Sequence, residues 1–287
     1  MPSSSRPAPP LERARPLLGT LVRISVELED DAQARHAVEA AFAEIARVHR
    51  LMTFHEADSD LGRLNRAAPG LAVEVDTRTA EVLQTALAFA RQSDGAFDPT
   101  VGAEAVAAGA LPRPADSDAA DPVADWHDVH IEGCAVRLRR KAWLDLGGIA
   151  KGYAVDRAIG VLQGHGAQRA CVDAGGDLRV LGTDHAVRLR VDGSPQLPLL
   201  LIDDGAVASS GGDPSLQTPH FHAARRASLP AAHFASVTAP SCMVADAMTK
   251  IVLALGLDAA RPLLQQHRAA AYAFSPRHGW RATTAIA

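Results

Sequence analysis

The feature that most limits the fold of this 287-residue chain is the shortness of the gaps between its strand-like segments. Val129-His130-Ile131 and Ala135-Val136-Arg137-Leu138 are separated only by a turn at Glu132-Gly133, which a hairpin can span. Leu21 to Leu28 alternates side-chain character, as a strand with one buried face does. Further strands are expected at Arg169 to Asp173, Val187 to Val191, Leu199 to Ile202, Ala270 to Phe274 and Trp280 to Thr284. Strands that follow one another through short turns pair antiparallel. Between them lie helical stretches, so the expected class is α+β, with largely antiparallel sheets packed against helices.

From Asp31 to Arg50, Ala34, Val38, Phe42, Ile45 and Val48 recur at helical spacing and predict one face packed on a sheet. A second helix is expected from Thr77 to Ser93, with Asp76 capping its free N–H groups and Asp94-Gly95 ending it. Others begin near Gly152, at Asp246 (to Leu255) and at Asp258 (to His267). Residues 108–125, rich in Ala, Asp and Pro without periodicity, read as an exposed loop. Gly211 to about Ala232 reads as irregular, and residues 1–12 as a disordered tail. The rest, 13–287, reads as a single domain.

Hydrophobic residues make up 47% of the chain, enough for a core that needs no metal or disulfide staple. The 29 basic and 33 acidic residues, without a long basic run, argue against a nucleic-acid partner. Cys134, Cys171 and Cys242 are widely spaced and fit a reduced, intracellular set. No run of roughly 18 to 20 apolar residues is present, so no transmembrane helix is expected, and the expected location is cytoplasmic.

The densest chemical signal is Leu144-Asp145-Leu146-Gly147-Gly148-Ile149-Ala150-Lys151-Gly152-Tyr153-Ala154-Val155-Asp156. Paired glycines between a strand end and a helix start let backbone groups approach a ligand, while Asp145 and Lys151 bring opposite charges to the turn. That suits a phosphate or a metal; an ordinary strand-turn-helix with a surface lysine fits equally. Gly175-Gly176-Asp177 again sets glycines beside a carboxylate. Asp98, in Gly95-Ala96-Phe97-Asp98-Pro99-Thr100, sits in a turn of a kind common without function. Asp246 is either a helix cap or a ligand for a divalent ion. His220 and His222 each offer a neutral imidazole to act as base. The elbow of serine hydrolases, the Walker loop, the zinc-protease helix and the dinucleotide fingerprint are all missing.

Taken in order, these segments resemble the FAD:protein FMN transferase, or ApbE, family from about Arg13 to Gly256. Leu18-Gly19-Thr20 resembles the family's opening Met-Gly-Thr. Met52 to His55, followed by Ser59-Asp60-Leu61-Gly62-Arg63-Leu64-Asn65, resembles its Met-Ser-x-Tyr and Ser-x-Leu-x-x-Leu-Asn. Gly95 to Thr100, Asp145 to Asp156, Gly175 to Asp177, Ala208 to Gly211, Val237-Thr238 and Ala245 to Ala247 continue the order.

The resemblance implies transfer of the FMN half of FAD to a Thr or Ser hydroxyl of an acceptor flavoprotein of a redox chain, with release of AMP. It implies a FAD cleft between two merged halves, contacted by Leu18, Phe54, Ala96, Phe97, Asp98, Asp145 and Lys151. It further implies Mg2+ at the Gly148 carbonyl and at Asp246 and Thr249, with His220 as base. Two positions depart from the family pattern. The residue four after Asp246 is Lys250 where the family has threonine, and Thr249, three after, is swung round the helix at about 100° per residue. The segment from His220 to Arg225 lacks the family's aspartate. A metal-dependent FAD pyrophosphatase and a noncatalytic FAD-binding protein are the alternatives.

Overall fold

A computed structural model describes residues 10–191, 194, 196–211, 221–229 and 233–283. The chain opens with a hairpin, β1 (Leu11–Leu17) and β2 (Thr20–Glu27), then α1 (Asp31–Met52), α2 (Asp60–Arg66), β3 (Ala72–Glu74), α3 (Thr77–Gln92) and α4 (Gly102–Ala107). After a long connection come β4 (Val129–Glu132), β5 (Ala135–Leu138), α5 (Ala150–Gly164), β6 (Arg169–Ala174) and β7 (Leu178–Leu181). Next are β8 (His185–Arg188), β9 (Leu199–Ile202), β10 (Ala206–Gly211), and the short β11 (Phe221–His222) and β12 (Ala227–Ser228). The chain closes with β13 (Phe234–Ala239), α6 (Cys242–Leu255), α7 (Leu257–Gln266), β14 (Ala270–Ser275) and β15 (Gly279–Ala282).

Eight strands form one antiparallel sheet in the order β1-β2-β6-β7-β10-β13-β14-β15. Because side chains alternate across a strand, β10 sends Ala206 and Ala208 into the helix-facing core and Val207 to the opposite face. Helices α1, α5 and α6 cover the first face, and α5 and α6 cross closely. Leu200 and Ile202 of the β8–β9 hairpin help cover the second, with Leu178, Val180 and Tyr272. A smaller sheet, β3-β5-β4, shares the main core through Val136 and Leu138 together with Leu61 and Leu64 of α2, so the two halves merge over one apolar interior. The fold is α+β, as expected.

Local chemistry explains the elements. Asp30 caps α1 through its carboxylate to Ala32 N and Gln33 N, at 3.0 and 3.2 Å, and Ala34, Val38, Phe42, Ile45 and Val48 form its buried stripe. Asp76 caps α3, accepting from Arg78 N at 2.9 Å.

Several boundaries differ from expectation. The first strand begins at Leu11, inside the stretch read as tail, because its residues pair along β2 although most of its side chains stay exposed. The β4–β5 turn falls at Gly133-Cys134, with Gly133 at φ +62, one residue later than expected. α5 starts at Ala150 rather than near Gly152. The strand expected at Val187 to Val191 runs from His185 to Arg188. α6 starts at Cys242, capped by Ser241 to Val244 N, so Asp246 is an interior helical residue and not a cap. Residues 108–125 hold no helix or strand beyond α4, yet they are tethered: Ser117 Oγ donates to Asn65 O at 2.6 Å, Trp143 Nε1 donates to Ser117 Oγ at 3.0 Å, and Asp121 N donates to Lys141 O at 2.8 Å. No described helix is long and apolar enough to cross a membrane.

Candidate active site

The loop from Leu144 to Ile149 is held in place before it does any chemistry. Asn65, at the end of α2, donates from Nδ2 to Leu144 O at 2.9 Å and accepts from Leu144 N at 2.7 Å, taking the part a neighbouring strand would play. Asp145 N donates to Pro99 O at 2.7 Å, which ties the Gly95 to Thr100 turn to the same loop. Asp145 Oδ1 then accepts from Gly147 N at 2.8 Å and closes a tight turn.

Two glycines permit close approaches that a side chain would block. A Cβ on Gly148 would stand 3.3 Å from the Phe97 ring and 3.4 Å from Cγ and Cε of Lys250, so both side chains lie against this backbone. A Cβ on Gly152 would fall 2.3 Å from Cys242 O, which is why α5 and α6 cross there. That crossing lets Gly152 N, a free donor in the first turn of α5, donate to Asp246 Oδ2 at 3.2 Å. At the end of the same motif Asp156 accepts from Cys242 N and Met243 N, at 2.8 and 2.9 Å, and pairs with Arg179. It anchors the start of α6 and so sets where Asp246 and Lys250 fall.

The charged centre consists of two lysine–aspartate pairs. Lys250 Nζ donates to Asp246 Oδ1 at 2.5 Å and to Ser210 Oγ at 2.8 Å. Lys151 Nζ donates to Asp177 Oδ2 at 2.5 Å, while Asp177 Oδ1 is buried without a partner among the described residues. The lysine side chains retain 33% (Lys151) and 17% (Lys250) exposure against 0% for both aspartates, so what each pair leaves exposed is part of its lysine. Burial alone would raise the Asp246 carboxyl, but Lys250, then Lys151, and the hydrogen bonds from Lys250 and Gly152 outweigh it and hold it below the usual range. Asp177 moves the other way: burial and the neighbouring Asp246 raise it against the pull of Lys151 and Lys250. Burial would lower Lys151, yet Asp177 and Asp246 hold its ammonium firmly protonated.

The expected cleft residues lie on two sides of this centre. Phe54, Ala96, Phe97 and Asp98 are buried, and Phe97 reaches Gly148. Asp98 Oδ1 accepts from Thr100 N and Oγ1 at 2.8 and 2.7 Å, and burial raises its carboxyl, so in this state it braces its own turn. Leu18 and Gly19, both at positive φ, form the β1–β2 turn. Next to them, Thr20 packs where a Cβ on Gly175 would sit, 2.3 Å from its Oγ1, and Gly176 in turn faces Ser209. Leu18 therefore stands at the same end of the sheet as Asp177 and Ser210. Thr249 is buried, and its hydroxyl donates to Asp246 O and meets Ser210 Oγ, both at 2.7 Å. His220 lies outside the described residues. Among the described residues, no three His, Cys, Asp or Glu side chains are grouped so that they could hold a metal ion by themselves. Sequence reasoning singled out neither Asn65 nor Ser210 as a site residue; each carried only its place in a longer matched stretch.

The fold is one that solved flavin transferases share. Flavin transferase ApbE from Vibrio cholerae superposes with a TM-score of 0.81 over 96% of this chain and 97% of that one, at 20% identity. Flavinyl transferase ApbE from Pseudomonas stutzeri, in its apo form, gives 0.81 over 96% and 94%, at 19% identity. The ApbE family model matches residues 18–274, and the chain belongs to the ApbE family. Among curated relatives, the FAD:protein FMN transferase of Treponema pallidum is 32% identical over 59% of this chain and 51% of its own length. That of Rhodobacter capsulatus is 36% identical over 63% and 36% respectively, so the chain spans about half and about a third of these two relatives.

Proposed function

We propose that the protein transfers the FMN half of FAD to a Thr or Ser hydroxyl of an acceptor flavoprotein and releases AMP. The observation that carries this reading is the pair of lysines, Lys151 and Lys250, the partly exposed members of two ion pairs beside a glycine-lined loop, in a chain of this family. Such a place suits a diphosphate, whose charge they offset. The acceptor oxygen attacks the FMN-side phosphorus, the bond from that phosphorus to the bridging oxygen breaks, and AMP departs with the electron pair. The acceptor proton passes to a base, for which the resemblance supplies His220. Leu18, Phe54, Ala96, Phe97, Asp98, Asp145 and Lys151 are the residues we assign to FAD, with Phe97 offering a ring to the flavin side.

The Mg2+ that the resemblance implies finds no ready place at its two expected side-chain ligands on α6. Both oxygens of Asp246 are engaged, by Lys250 and by Gly152 N, and the Thr249 hydroxyl is spent on Asp246 O and Ser210. No step of this reading therefore runs through the ion.

The test is incubation of the full chain with FAD and a candidate acceptor, scoring AMP and protein-bound flavin together, beside Lys151→Ala. AMP with covalent flavin, falling about 100-fold or more in the variant, is expected. AMP accompanied by free FMN alone identifies a pyrophosphatase, and FAD binding without AMP identifies a noncatalytic binder.

A further inference from the structure

Asp246 offers a fully buried carboxylate at the centre of the site, and such a charge requires a cation. The cation present is part of the chain. Lys250 follows Asp246 by one helical turn, and residues four apart share a helix face. Its stem lies along Gly148, whose missing side chain leaves room for Cγ and Cε at 3.4 Å from where a Cβ would be. Its ammonium has three N–H groups; one goes to Asp246 Oδ1 at 2.5 Å and one to Ser210 Oγ at 2.8 Å, leaving one without a partner among the described residues.

The two side chains of α6 that a divalent ion would use here, Asp246 and Thr249, are already engaged. Asp246 Oδ2 takes Gly152 N at 3.2 Å, Thr249 Oγ1 is held between Asp246 O and Ser210 Oγ, and of the second carboxylate nearby, Asp177, Oδ2 is held by Lys151 at 2.5 Å while Oδ1 has no partner among the described residues. An ion entering this space would have to displace an ammonium from a short charge-assisted bond and would then meet that ammonium as a neighbour of like sign.

We infer that Lys250 is a built-in cation: its ammonium occupies the position between Asp246, Ser210 and the Gly148 loop, excludes a divalent metal, and presents its remaining N–H to an oxygen of the FAD diphosphate. The part of this inference that concerns FAD rests on the proposed function; the exclusion of metal does not. A single ammonium carries less charge than a divalent ion but cannot be stripped away, so flavin binding is indifferent to chelators.

The experiment uses the full chain and two separate readouts, Mn2+ titration followed by its paramagnetic resonance signal, and FAD titration in Mg2+ or in EDTA. The wild type is expected to bind no stoichiometric Mn2+ and to hold FAD equally well in both buffers. Lys250→Thr is expected to acquire one Mn2+ per chain. In EDTA the same variant should bind FAD about tenfold more weakly than wild type, the loss of one charge-assisted hydrogen bond, and recover in Mg2+. One Mn2+ bound per wild-type chain, or wild-type FAD affinity that collapses in EDTA, overturns the inference, as does a folded Lys250→Thr protein that gains no metal. The wild-type measurements decide even where the variant does not fold. Flavin binding that is absent in both buffers sinks the proposed function instead, and the Mn2+ titration then still reads the cation.

Discussion

Asn65 shows how much a single side chain can organise. Its amide satisfies both backbone groups of buried Leu144, and its own carbonyl accepts from Lys141 Nζ and Ser117 Oγ, at 2.9 and 2.6 Å. Asn65→Ala leaves a buried N–H and C=O unpaired and is expected to cost about 3 kcal/mol, at one to two for each orphaned group. Urea unfolding measures this; a loss no larger than that of a surface substitution would show that water replaces the amide. The residue was legible only as the last letter of a matched motif, because nothing in its neighbours announces a partner 79 positions away. Asp246 was the reverse case. Its place beside Lys250 follows from helix geometry, yet the bland reading as a cap fails because α6 begins about a turn earlier, at Cys242, with Ser241 as its cap.

Between elements, Glu44 of α1 joins three helices. It accepts from Arg78 Nε of α3 at 2.9 Å and from Arg157 Nε of α5 at 3.1 Å. Burial pushes its carboxyl up, but the two guanidinium groups outweigh that and hold it below its ordinary 4.5. A carboxyl depressed by folding contributes stability above its unfolded value and loses it as pH falls through the folded one. Glu44→Gln is therefore expected to cost about 1 kcal/mol near neutral pH, with the gap to wild type closing as pH drops below 4.5. Denaturant midpoints across that range give the answer, and a gap that stays constant into strong acid would mean that the clamp contributes no charge-dependent stability.

At the scale of the whole molecule, the site belongs to no single element. The Leu18-Gly19 turn, the Gly175 to Asp177 turn and the Ser210 end of β10 meet at one end of the large sheet, while Phe97 and Asp145 come from the other half. A ligand bridging them joins both halves and stabilises the native state through linkage, by about 2.7 kcal/mol at one hundred times its dissociation constant. FAD, with a diphosphate to engage both lysines, is expected to raise the melting temperature more than FMN at equal concentration. Equal shifts, or none, in a thermal melt would count against a cleft that reads the diphosphate.

The amino-acid sequence by itself determined the places of α1, α3, α5, α6 and α7 and of strands such as β4, β5 and β6, since amphipathic spacing, cap residues and turn glycines act within a few residues of chain, but it did not reveal α2, α4, β7, β10 or β13. It also determined the family, because an ordered set of short motifs survives where overall identity does not. It put Lys250 four residues after Asp246, and so on the same helix face. What only the tertiary structure decided is which groups meet across the chain. Lys151 finds Asp177, Gly152 finds both Cys242 and Asp246, and Lys250 finds Ser210. It also decided that β1 is a strand despite its exposed side chains, since edge pairing is carried by the backbone and leaves no hydrophobic pattern to read. Local sequence sets local geometry over a turn or two, whereas a buried charge finds its counter-charge only after sheet and helices have packed.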